Sequence, residues 1–232
     1  MKTSTLFFSF LGVISTNVFA NDISDDMDYK VTKDDPPITL CGDAINDSNM
    51  SNAADNCLKV VLGIKDNAYQ KLFTSTPSVT LMDYMGYRIQ NSADNTGRTY
   101  GYITTSEDQF GPVGHFARFR QDGAHATSDG TLGQLDRFCI DLRERNFLGN
   151  NDWRRARVEE LVDLRQGNGN LYLYGWPTRI AYSSSTIHEE DPGDISLNTS
   201  WTVNLRADLV HGDQPHKSSN YASCVSEEGI RN

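Results

Sequence analysis

The sequence predicts an α+β module with disulfides and long loops, and three observations lead there. Leu135, Phe138, Cys139 and Leu142 form an apolar stripe at helical spacing. Trp201, Val203 and Leu205 alternate with Thr202 and Asn204, as the residues of a half-buried strand do. Four cysteines stand in a chain that opens like an exported protein. With 232 residues the chain is long enough for a sizeable core, and 38% hydrophobic against 22% charged residues excludes both a disordered polyelectrolyte and a multispanning membrane protein. Acids outnumber Lys and Arg by 31 to 21, which argues against nucleic acid as a partner, because such affinity rests on neutralising phosphates.

Taken in order, the elements begin with a targeting segment. Lys2 precedes an apolar run from Leu6 to Ile14, and Val18-Phe19-Ala20 supplies the small residues of a cleavage site, so residues 1–20 read as a secretory signal and Asn21 as the first mature residue. The run falls short of the roughly 20 apolar residues that span a bilayer. Export without direct membrane insertion is therefore expected, to the medium or the periplasm, with any hold on a cell surface supplied by an anchoring partner protein. Residues 21–37 carry six aspartates and two lysines ahead of Pro36-Pro37 and predict an acidic flexible leader. From 38 to 232 the chain reads as one module without a linker.

Within that module, Ala54, Cys57, Leu58 and Val61, then Tyr69, Leu72 and Phe73, recur at helical spacing and predict two short helices. Residues 79–120 are aromatic and β-rich, with Tyr100, Tyr102 and Thr104 on one side of a strand. The stripe at 135–142, set against charged Asp136, Arg137, Asp141 and Arg143, predicts a third helix, and Val158, Leu161 and Val162 a fourth. Strands follow around 201–205 and 221–225. Trp153, Trp176 and Trp201 all read as core residues. Four cysteines allow three pairings. Spacing favours Cys41 with Cys57, across a polar Asn-rich segment, and Cys139 with Cys224, joining the third helix to the last strand; no CxxC is present to suggest a metal.

The C-terminal half carries Asp136-Arg137-Phe138-Cys139, Trp153-Arg154 followed by Glu160-Leu161, Gly175-Trp176-Pro177-Thr178, Ser184-Ser185-Thr186 and Tyr221-Ala222-Ser223-Cys224-Val225-Ser226. In this order and spacing the residues resemble the adhesion domain of bacterial invasin- and intimin-type surface proteins. The resemblance is firmest over 134–226. It implies a C-type-lectin-like fold, a disulfide from the first lectin helix to the last strand, and a non-enzymatic adhesion role toward a host or cell-surface protein or glycan. The chain departs from the family at Arg155-Ala156-Arg157, which replaces a proline and a capping hydroxyl, and at Tyr182-Ser183-Ser184, which lacks an aromatic.

The Glu-Pro-Asn, Gln-Pro-Asp and Trp-Asn-Asp runs that hold calcium and sugar together in such folds are absent, so no cofactor is expected. His211 and His216 bracket Gly-Asp-Gln-Pro, and His188 adjoins Glu189, Glu190 and Asp191; a metal-dependent secreted enzyme assembled from them is a third reading, without a His-Glu-x-x-His helix to support it. The second reading is an exported accessory or effector subunit that uses the scaffold for protein contacts. Recognition is expected on two loops, 187–200 and 211–219, with His188, Glu189, Glu190, Asp191, His211 and Asp213 as binding residues and Asp194 adding to the negative field of the first.

Overall fold

The computed structural model describes residues 30–65, 68–107, 109, 111–188, 199–207 and 209–227. The expected signal segment 1–20 and the acidic residues Glu189, Glu190, Asp191 and Asp194 lie outside these. In chain order the elements are β1 (Thr39–Leu40), β2 (Cys57–Leu58), β3 (Val60–Lys65), β4 (Ala68–Thr74), α1 (Val79–Tyr84), β5 (Arg88–Ile89), β6 (Thr99–Tyr100), β7 (Tyr102–Ser106) and β8 (Gly114–Arg118). Then come α2 (Gln134–Glu144), β9 (Arg154–Arg155), α3 (Val158–Asn168), β10 (Tyr182–Ile187), β11 (Thr199–Asn204), β12 (Leu209–Pro215) and β13 (Cys224–Ser226). The fold is mixed α+β, as the sequence predicts. Among the described residues no helix is long and apolar enough to cross a membrane.

A four-stranded antiparallel sheet, ordered β3-β4-β13-β9, divides the core in two. Successive side chains of a strand point to opposite faces, and here both faces are buried. Val60, Leu72 and Cys224 pack with Leu81 and Met82 of α1 and with Leu135, Phe138 and Leu142 of α2. Val61, Phe73 and Val225, aligned across three strands, pack with Leu161 and Leu164 of α3 and with Trp176, Tyr182 and Tyr221. A second antiparallel sheet, β10-β11-β12, adds Val203 to this latter core. Strands β7 and β8 form a separate hairpin.

Two expectations fail here. Neither 54–61 nor 69–73 is helical: 54–56 is a turn, 57–58 and 60–61 belong to β2 and β3, and 69–73 lies in β4. A strand buried on both faces shows a run of apolar residues rather than alternation, and such a run imitates helical spacing. The segment 211–219, expected as a loop, is strand as far as Pro215, since β12 pairs with β11 from Leu209 to Pro215. The helices expected at 135–142 and around Val158 are present as α2 and α3.

The charged side of α2 is not solvated, however. Arg137 donates to the Gly97 and Leu132 carbonyls and to Asn95 Oδ1, and the fully buried Asp141 accepts from Tyr87 and pairs with Arg98 and Arg145. Those two arginines also hold the described end of the acidic leader, through Asp35 and, from Arg145, the Pro36 carbonyl. Hydrogen bonding from Arg98 drives Asp35 far below the usual carboxylate range, against the opposing effect of burial. Residues 35–36 are thus docked on α2. At the start of α3, Glu160 Oε2 accepts the Arg157 amide at 2.8 Å and Thr186 Oγ1 accepts the Val158 amide at 3.1 Å. These are the orphan donors of a helix N-terminus.

Cys41 is bridged to Cys57 and Cys139 to Cys224, with sequence separations of 16 and 85. Because a cross-link limits the unfolded chain more when it closes a longer loop, removing both cysteines of Cys139–Cys224 should cost about 4–5 kcal/mol and removing Cys41–Cys57 about 3 kcal/mol. Urea unfolding of the two double-alanine variants checks the order; equal losses would mean that the long loop is already restrained in the unfolded state.

Candidate functional site

The two surfaces expected to carry recognition are held by the second sheet. His188 follows β10; its ring meets Trp201 edge-on at 4.5 Å between centroids. A Cβ at Gly212 would stand 2.5 Å from His188 Nε2, so glycine is what lets the ring lie against β12. Trp201 is therefore only partly buried, packed on His188 rather than directed wholly inward as the alternation predicts. His211 is exposed on β12, its backbone opposite Thr202, and Asp213 lies two residues along the same strand. Among the described residues no three His, Cys, Asp or Glu side chains gather closely enough to hold a metal ion. The Glu189, Glu190 and Asp191 part of the proposed surface lies outside the described residues.

His216 is elsewhere. It is buried, with Nε2 2.7 Å from Ser200 Oγ, a pairing that the sequence does not reveal. The pair has two of the three parts of a nucleophilic triad. Among the described residues Ser200 is fully buried and His216 Nδ1 has no hydrogen-bond partner, so they supply no third, orienting member. Its role is to tie the end of β12 to β11. Burial, reinforced by the Arg155 charge, holds the imidazole at about 4, below its ordinary value.

After His216 the chain turns through Lys217 and Ser219, and this turn forms one wall of a cleft of about 240 Å³. The other wall is the hairpin: Tyr102 on β7, Arg118 on β8, and Arg120 just beyond it, with Asn91 at the rim. Phe119 lies between the two arginines and points into the core, so strand alternation places Arg118 and Arg120 together on the opposite side. The walls are tied by paired backbone hydrogen bonds between Phe119 and Asn220 and by the Gln121 amide on the His216 carbonyl. Arg118 donates through Nε and Nη2 to the Ser219 carbonyl, and its guanidinium carbon sits 5.3 Å from the Tyr102 ring centroid. Arg120 grips Asp122 through Nε and Nη2 and donates Nη1 to Asn91 Oδ1. Gly101 lets the walls close, since a Cβ there would meet Ser219 Oγ at 2.4 Å and Arg120 Cγ at 3.0 Å.

No protein-family model, curated protein or solved structure matches this chain.

Of the cleft residues, only Lys217 and Ser219 fall in a segment expected from the sequence to carry recognition; Tyr102 reads there as a strand residue. Arg118 and Arg120 flanking apolar Phe119 is the signal that was there to be read: two cations on one face of a strand in an acidic chain.

The buried imidazole also gives a pH dependence. The folded value of His216 lies below the unfolded value of about 6.5, so its neutral form is favoured by folding. Stability is then full above pH 6.5 and falls as pH drops toward about 4, by up to about 1.4 kcal/mol per pH unit. Asp47, Asp129 and Glu160, each held at about 2, add their losses only below about pH 4.5. His216→Gln, which can keep a hydrogen bond to Ser200, should flatten the thermal midpoint between pH 6.5 and 4.5. A slope unchanged in the variant would assign it to another group.

Proposed function

We propose that the protein is an exported, non-enzymatic recognition module with a C-type-lectin-like scaffold, binding a cell-surface protein or glycan. Two disulfides suit an oxidising compartment. The bridge from Cys139 on α2 to Cys224 on the last strand is the one that the resemblance to invasin- and intimin-type adhesion domains implies. The observation that carries the reading is the cleft between the β7–β8 hairpin and the 217–219 turn: hydrogen-bond donors and an aromatic ring gather there, a composition that suits recognition of a ligand group.

The test is binding of the mature, oxidised protein to intact host-type cells and to an immobilised glycan set, each with and without a chelator. Saturable binding that survives chelation is the expected result. Binding abolished by chelation would instead favour a metal-dependent site around His188, His211 and Asp213, and no saturable binding to either surface would contradict the recognition role.

A further inference from the structure

The charge left unpaired in the cleft is of one sign. Arg118 uses Nε and Nη2 on the Ser219 carbonyl, leaving Nη1 and the second Nη2 proton. Asn91 accepts from Arg120 through Oδ1, leaving its amide donors. Lys217 is exposed, and among the described residues neither it nor Arg118 has a carboxylate partner. Asp122, the acid beside the cleft, is fully engaged by Arg120. Three cations against one carboxylate therefore meet in a chain whose net charge is −10. Burial also pulls Arg118 below its ordinary value, with Tyr221 and Tyr102 acting the other way. A desolvated cation of this kind gains most from an anion brought by a ligand.

We infer that this cleft is an anion-recognition site whose ligand is the carboxylate-bearing ring of an acidic sugar, such as a uronate at the end or in the body of a glycan. This deepens the recognition reading above and rests on it. The end-on edge of the Arg118 guanidinium matches a carboxylate in bidentate geometry, and the Ser219 carbonyl and Tyr102 ring hold that edge in place before binding. Lys217 adds a mobile second charge. At about 240 Å³ the space lies below the usual range of whole small-molecule sites, about 300–1,000 Å³, and so takes one group of a larger ligand. An acidic sugar engages every part of the cleft: its carboxylate meets Arg118 and Lys217, its hydroxyls meet Asn91 and the Ser219 hydroxyl, and its C–H face covers Tyr102, which is 54% exposed. An aspartate or glutamate side chain would use only the cations.

The experiment is calorimetric titration of the full oxidised protein with a galacturonate oligomer, a neutral galactose oligomer of equal length, and poly-glutamate, at low and at physiological salt. The galacturonate oligomer should bind, more weakly as salt rises, and the neutral oligomer should not. Lys217→Glu, an exposed change with no carboxylate partner among the described residues, and Arg118→Gln should each weaken binding about tenfold or more. Thermal unfolding of Lys217→Glu should stay at the wild-type midpoint, which separates lost recognition from lost folding. Poly-glutamate binding as tightly as galacturonate, or galacturonate binding undiminished in Lys217→Glu, overturns the acidic-sugar assignment and leaves the recognition reading standing if wild-type protein still binds cells. Failure of wild-type protein to bind both the oligomers and cells overturns both.

Discussion

The strand Cys224–Ser226 lies between β4 and β9, and the bridge from Cys224 to α2 fixes the one element to which both cores and the cleft are attached. On one face of this strand Cys224 is held against Phe138 and Leu142; on the other, Val225 completes the row with Phe73 and Val61. Asn150 donates to the Ser226 hydroxyl, which in turn meets Asp152, so the strand's last polar side chain is satisfied where it is buried. Going back along the chain, the Tyr221 carbonyl accepts from Ser183 of β10, its amide donates to the Ala181 carbonyl just before that strand, and Asn220 bonds to Phe119. The turn that walls the cleft is thus suspended between the last strand and the second sheet.

Charge is distributed on the same plan. Interior charges are paired: Asp141 with Arg98 and Arg145, Glu160 with Arg154 and Lys71, Arg155 with Asp136. Losing one member of such a buried pair typically costs about 3–5 kcal/mol, because the other is left uncompensated. Lys59 places its ammonium 2.7 Å from Asp47 Oδ2 and 2.6 Å from the Asn49 carbonyl, so a side chain gathers the oxygens of the Asn-rich loop that the Cys41–Cys57 bridge closes. Arg118 differs from these paired arginines: a carbonyl and an aromatic ring stand where they have carboxylates.

What the sequence made legible follows from how each element is buried. Helix α2 could be read because its stripe of Leu135, Phe138, Cys139 and Leu142 faces one core, although the burial of Arg137 and Asp141 depends on residues 95–99 folding over the other side. Strands β3 and β4 could not, because Val60 and Val61 both reach a core, and the period of two that marks a strand disappears. Helix α1 is six residues long, capped by the Ser78 hydroxyl on the Leu81 amide, and lies in a stretch dominated by aromatic and glycine residues. The cysteine pairing was readable from spacing, since Cys41 and Cys57 flank one short Asn-rich segment and Cys139 and Cys224 stand at the two ends of the second half. The cleft was not, for although Tyr102 and Arg118 face each other across the β7–β8 hairpin, Lys217 and Ser219 reach them through the Phe119–Asn220 pairing, and long-range contacts of that kind leave no local pattern.

If the last strand holds the cleft in shape, releasing it must loosen the far wall as well. Amide hydrogen exchange in the oxidised protein and in a Cys139→Ala, Cys224→Ala variant measures this directly. The variant should lose protection at Val225 together with Phe119, Asn220 and Gln121, while the amides of the β3–β4 hairpin keep theirs. Protection at Phe119 and Asn220 that survives the loss at Val225 would show that the cleft stands independently of the strand, and the dependence described here would be contradicted.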